Sequence, residues 1–197
     1  SHHQHDWLLI QPGSSPRWYY HAPADFWHLA TPAPTGVLAE VMTLQPLSDT
    51  GWPPESDMAA RRLAVIGNLE ASSLPAGAEL NPPALLAALD ELRMYKDDYE
   101  RHCLFVANQW ALKGHDAARN AFAAGASELD IQLAYLAATR QRESQVPYQN
   151  IIGIDHHAGT LHYQHYDVEA PGTPKSLLVD AGHSHAGYAA DITRTWA

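Results

Sequence analysis

One stretch near the C-terminal end narrows the folds open to this chain: "LLVDAGHSHAGYAADITRTW", residues 177–196. Two runs rich in aliphatic, β-branched and aromatic residues flank a glycine-containing segment, which is the pattern of a β-hairpin. Each run carries one acid, Asp180 and Asp191. Pairing residues 176–180 with 187–195, about a turn centred between His185 and Ala186, sets the two acids opposite one another, or nearly so, on one face. Opposed Cβ atoms on paired strands lie ~4.5–5.5 Å apart. Like charges at that distance repel, and burial adds a desolvation cost. Three arrangements relieve this: one carboxyl stays protonated, cations bridge the pair, or both acids point to solvent at the end of the hairpin. An all-oxygen pair suits hard divalent ions such as Mn²⁺ or Mg²⁺. A one-residue slip in register would turn a strand over and change which of these applies.

Upstream, the pattern changes along the chain. Residues 7–10 (WLLI) and 17–21 (RWYYH) flank "PGSSP" and read as a hairpin. Residues 37–44 (VLAEVMTL) suit a short helix or a strand, and 61–67 (RRLAVIG) suit a strand closed by glycine. This alternation predicts a small α/β domain over residues 1–80. Helical signals then dominate. Asn81 is placed as an N-cap with proline in the first turn, and Leu85, Leu89 and Leu92 recur at helical spacing. A long helix follows from the acids Asp97 and Asp98 to Gly125, with Tyr99, Cys103, Val106, Trp110 and Lys113 or Gly114 along one side. Ser127 caps the next, with Asp130 at the third position. Residues 150–154, 159–166, 176–182 and 186–196 are read as strands. Helices before antiparallel strands make residues 81–197 an α+β unit.

Composition excludes some classes. A net charge of −10 argues against a nucleic-acid-binding surface. No apolar run reaches the ~20 residues that span a bilayer. The N-terminus lacks a secretory pattern, and the lone Cys103 forms no intrachain disulfide. A cytoplasmic protein is expected. Both ends are abrupt, and we expect a piece of a longer protein.

"LLVDAG", followed at the spacing seen here by "DITRTW", resembles the paired-aspartate hairpin of the pita-bread (M24-type) metallopeptidases, among them methionine aminopeptidase, aminopeptidase P, creatinase and prolidase. "DFWH" (Asp25–His28), "VPYQNIIGI" (Val146–Ile154) and "LHYQHYD" (Leu161–Asp167) resemble the prolidase branch, which takes in bacterial Xaa-Pro dipeptidases and organophosphorus acid anhydrolases. The likeness implies a creatinase-like N-terminal domain followed by the first half of a pita-bread catalytic domain. It also implies two divalent metal ions, Mn²⁺ in most prolidases. Asp180 would hold one ion through both oxygens, Asp191 would bridge the two, and a bridging hydroxide would attack the scissile carbonyl of an Xaa-Pro dipeptide.

By the same likeness, His162 is a catalytic and substrate-holding residue beside the metals, and Tyr148 and Leu161 line the substrate pocket. A strand histidine and a core aromatic are the plainer readings of His162 and Tyr148. Thr193, two residues beyond Asp191, suits a hydrogen-bonding partner of a ligand or a simple strand former. His2, His3, His5, His156 and His157 read as terminal or loop residues. His183 and His185 fall in the turn between the aspartates, and Cys103 in packing.

The family uses five ligands: two aspartates, then a histidine and two glutamates further along. This chain stops six residues after Asp191, so it supplies two of them and is expected to be inactive alone. An organophosphate-hydrolysing variant shares the chemistry. A non-catalytic pita-bread binding module is the alternative of another class, but it has no use for the aspartate pair. The likeness also implies a homodimer, which would cover an unpaired sheet edge.

Overall fold

The structure is a computed structural model that describes residues 6–24, 26, 31–59 and 62–197. Asp25, Trp27 and His28 of the "DFWH" string, His2, His3, His5 and Arg61 lie outside those residues. The chain divides into two compact units, residues 1–88 and 89–197.

In the first unit, β1 (Trp7–Leu9) and β2 (Arg17–His21) form the expected hairpin, with Trp7 opposite Tyr19. The ambiguous segment 37–44 resolves into both alternatives in turn: α1 (Val37–Val41), then β3 (Thr43–Leu47), which pairs parallel to β2. Buried Tyr19 donates its hydroxyl to Asp57, whose carboxylate also meets Arg17 Nη1 at 2.6 Å. The Tyr19 hydrogen bond, helped by Arg17, holds the Asp57 carboxyl below its usual range against the cost of burial. A second pair, β4 (Leu63–Val65) and β5 (Ala78–Leu80), is parallel. Asn81 does not spend its side chain on capping the helix that follows. It sits at φ 48°, and its amide pairs both ways with the backbone of Gly67 at 2.9 Å. Helix α2 spans Pro83–Met94.

The second unit is a helical layer against a three-stranded antiparallel sheet. Helix α3 (Asp98–Ala123) starts at a capping box in which Asp97 and Glu100 satisfy each other's backbone N–H groups. Its buried line is small: Cys103, Ala107, Ala111, Gly114, His115 and Ala118. Small residues let the helix come close. A Cβ on Gly114 would stand 2.5 Å from the Tyr135 ring, so glycine is required where α3 meets α4 (Glu128–Thr139). Ser127 caps α4 as expected.

The sheet runs β6 (Ile151–Ile154), β7 (Leu177–His185), β8 (Tyr188–Trp196). Along β7, Leu177, Val179, Ala181 and His183 face the helices and are buried. Ile131, Tyr135, Ile152 and Ile154 complete the core there, and Ala107 and Ala111 pack with Ala190 and Ile192. Leu178, Asp180, Gly182 and Ser184 take the other face.

Two further expectations are corrected. Residues 159–166 form no strand; a short 3-10 turn (Asp155–Gly159) leads into an irregular loop. Tyr166 at φ 52° breaks the extended path, and the tyrosines of the loop bond inward instead of joining a ladder. His183 and His185 belong to β7 and not to the turn. The turn is Ala186–Gly187, both at positive φ (50° and 85°), which a two-residue hairpin of the right twist demands. No helix among the described residues is long and apolar enough to cross a membrane.

Candidate functional site: a paired-aspartate cleft

The turn lies one residue later than the pattern suggested, and the pairing shifts with it. Asp180 faces Thr193, and Asp191 faces Gly182. The two acids are therefore diagonal neighbours and not directly opposed. A shift of the turn centre by one residue moves the partner by two, so both carboxylates stay on the outer face. Thr193 shares that face.

Tyr148 closes over them. Its hydroxyl lies 2.9 Å from Oδ1 of Asp180 and 2.9 Å from Oδ1 of Asp191. Burial, then these two carboxylates, push the phenol well above its usual range, so it stays a protonated donor. One O–H proton cannot satisfy two carboxylates fully. The donor set is all oxygen, carries two negative charges and has a single shared proton. That is a fit for hard divalent cations.

The approach of Tyr148 depends on Gly182. A Cβ there would meet the Ala190 carbonyl oxygen at 2.1 Å, Pro147 Cγ at 2.8 Å and Tyr148 Cε1 at 3.1 Å. From beneath, the Gly182 carbonyl accepts the Tyr135 hydroxyl at 3.1 Å and Gln141 Nε2 at 3.3 Å.

An open cleft of about 410 Å³ sits on this face, lined by Tyr148, Gln149, Ile151, Leu161, His162, Gln164, Asp180 and Asp191. The five residues singled out from sequence thus meet in one place. Leu161, 88% exposed, and His162 reach it from the 160–167 loop and not from a strand. Gln149, Ile151 and Gln164 were not anticipated. Their signal was present in the strings around Tyr148 and His162, but it named no chemistry.

Behind the sheet, His115 is 3% exposed, with Nε2 3.2 Å from the Ala181 carbonyl oxygen. His183 stacks on Trp110 at 5.8 Å. Burial lowers the pKa of both imidazoles. Sequence reasoning also missed Glu128. This helix-start acid is 2% exposed and forms a cluster with His157 and Asp167 whose ligand-type atoms lie within 4.8 Å of one another.

Residues 102–197 match the profile of metallopeptidase family M24, and residues 1–90 match that of the Xaa-Pro dipeptidase N-terminal domain. Over residues 102–197 this chain is similar to the M24 metallopeptidases. It is 48% identical to an Xaa-Pro dipeptidase of Marinobacter nauticus over 195 residues, which is 98% of this chain and 44% of that protein. It is 39% identical to one of Salmonella arizonae over 194 residues, 96% of this chain and 44% of that one. The chain therefore spans less than half the length of these curated relatives. Among solved structures, zinc-substituted Escherichia coli aminopeptidase P in complex with product aligns with a TM-score of 0.65 at 18% identity, covering 96% of this chain and 48% of that one. The Xaa-Pro dipeptidase from Bacillus anthracis aligns at 0.62 and 18% identity, covering 98% and 54%. These likenesses carry the pita-bread fold.

Proposed function

We propose that the complete protein is a cytoplasmic, homodimeric Xaa-Pro dipeptidase that hydrolyses dipeptides with a C-terminal proline, with two Mn²⁺ ions as cofactors and no nucleic-acid partner. The observation that carries this reading is the juxtaposition of Asp180 and Asp191 on one face, under one tyrosine hydroxyl, in a cleft shared with Leu161 and His162. The 48% identity to an Xaa-Pro dipeptidase supports the substrate class.

Asp180 and Asp191 would hold the ions, which supply a nucleophile at neutral pH and polarise the scissile carbonyl. The protein groups have separable tasks. Tyr148 spreads its one proton over the carboxylates and orients them. Gly182 clears the space that lets Tyr148 do so. Leu161 and Ile151 give the cleft its apolar surface, and His162 offers a ring nitrogen to a substrate carboxylate or carbonyl. The bond before proline is a tertiary amide without an N–H, so its recognition rests on such carbonyl and ring contacts. The prolidase family uses five ligands and these residues provide two, so turnover is expected of the complete protein and not of this stretch alone.

The test is Mn²⁺-dependent release of proline from Ala-Pro, with this chain and the product of the complete reading frame assayed side by side. Activity confined to the complete product and lost in Asp180→Asn is the expected result. Absence of activity in both would overturn the dipeptidase reading.

A further inference from the structure

The loop that brings Leu161 and His162 to the cleft has no strand partner; Tyr166 bonds the Asn150 carbonyl, and a second buried point gathers the rest. Glu128, at the start of α4, accepts four hydrogen bonds. The Ile154 N–H and His157 Nδ1 bond Oε1, each at 2.8 Å. The Tyr163 hydroxyl (2.7 Å) and the Asp167 N–H (2.9 Å) bond Oε2. His157 and Tyr163 also stack face to face at 4.2 Å. Burial alone would raise the carboxyl pKa. The donors, led by the Asp167 N–H, outweigh it and hold the group ionised below its usual value.

Four donors use the lone pairs a carboxylate offers in its plane. Two of them are backbone amides that cannot turn away. A cation at this cluster would have to displace the donors and face fixed N–H dipoles, so Glu128 with His157 and Asp167 is a poor metal centre. It is instead a clamp. Its four contacts join α4 to the end of β6, to the 3-10 turn and to two points, Tyr163 and Asp167, of the loop that carries Leu161 and His162. Tyr163 is the next residue after His162.

We infer that Glu128 is the positioning residue of the cleft: it acts through Tyr163, His157 and the Asp167 amide to hold Leu161 and His162 over the Asp180–Asp191 pair. This rests on the proposed function for what the cleft does, but not for how the loop is held.

The experiment uses the 197-residue chain, with amide hydrogen exchange and NMR line broadening by Mn²⁺. The variants are Glu128→Gln, which puts an amide donor among four donors, and Tyr163→Phe, which removes one donor and keeps the ring. In Glu128→Gln, the Ile154 and Asp167 amides should exchange at least about tenfold faster, while Ala181 and Ile192 in the hairpin keep their protection. Tyr163→Phe should show a smaller change confined to the Asp167 side. In the parent chain, Mn²⁺ should broaden both the His162 ring signals and the hairpin amides near Asp180. In Glu128→Gln, the His162 broadening should fall severalfold while the hairpin broadening persists. Unchanged loop exchange in Glu128→Gln, or His162 broadening equal to that of the parent, would overturn the inference. So would equal loss of protection in loop and hairpin in both variants. Absence of broadening anywhere in the parent would count against the metal reading, and the exchange arm would still decide the clamp.

Discussion

Gly182 stands directly opposite Asp191 across the β7–β8 hairpin. An added methyl group would run into the Ala190 carbonyl oxygen at 2.1 Å, which is backbone and cannot swing aside. Gly182→Ala should therefore cost ~2 kcal/mol or more. It should also move Tyr148 off the carboxylates, since Tyr148 Cε1 is 3.1 Å from the same methyl position. Urea unfolding measures the first effect. A stability within 0.5 kcal/mol of the parent, roughly the scatter of neutral surface changes, would contradict the packing described.

Tyr148→Phe keeps the ring and removes the shared proton. In metal-free buffer the two diagonal carboxylates then lack this donor, and the chain should lose ~1.5–3 kcal/mol, the usual worth of a hydrogen bond to a charged group. Added Mn²⁺ should shrink that loss, because a cation takes over the role of the proton. Thermal unfolding of parent and variant with and without Mn²⁺ gives the four numbers. A loss that stays constant on adding Mn²⁺ would separate Tyr148 from the ion site.

Binding to the folded chain alone raises stability by RT ln(1 + [L]/Kd), or about 1.4 kcal/mol at tenfold excess over Kd. The parent should gain this with Mn²⁺, and the double variant Asp180→Asn with Asp191→Asn should gain nothing. Without metal, the double variant should unfold no earlier than the parent, since like charges have been removed. Equal Mn²⁺ stabilisation of both proteins would place the ion elsewhere.

His115 and His183 are buried, and burial holds both below the usual histidine pKa. Above pH ~6.5 both states are neutral and the two residues add no pH dependence. As pH falls past that value, the unfolded chain takes up protons that the folded chain refuses. Stability therefore drops until the lowered folded pKa is reached. The urea midpoint should fall between pH 7 and 5.5, and fall less steeply in His115→Gln. Parallel profiles for the two proteins would assign the acid sensitivity to other groups.

The hairpin, the cap at Ser127 and the aspartate pair were legible in the sequence because their signals are local: alternation, glycine, and a side chain three residues from the amide it binds; Asp97, read as a helix-start acid, proved to be the cap itself. Residues 159–166 misled because aromatic content is a propensity for strand, while the fate of Tyr163 and Tyr166 was set by distant acceptors, Glu128 and the Asn150 carbonyl. The turn was misplaced by one residue because Ala186 adopts positive φ, a conformation its identity does not advertise. Glu128 carries no sequence signal beyond that of a first-turn acid. Only tertiary structure brings four donors from sites 26 to 39 residues away onto it.

Along strand β7 neighbouring residues serve different purposes. Leu177, Val179, Ala181 and His183 are turned to the helices, while Asp180 and Gly182 between them form the floor of the cleft and its approach. A saturation scan along the strand should therefore read as a comb. Odd positions would report on folding yield and Asp180 on chemistry, while Gly182 would report on both, because a side chain there meets backbone as well as Tyr148. Evolution tuning this surface for a new substrate is confined to the outward letters, and among those Gly182 is held fixed by the backbone opposite it.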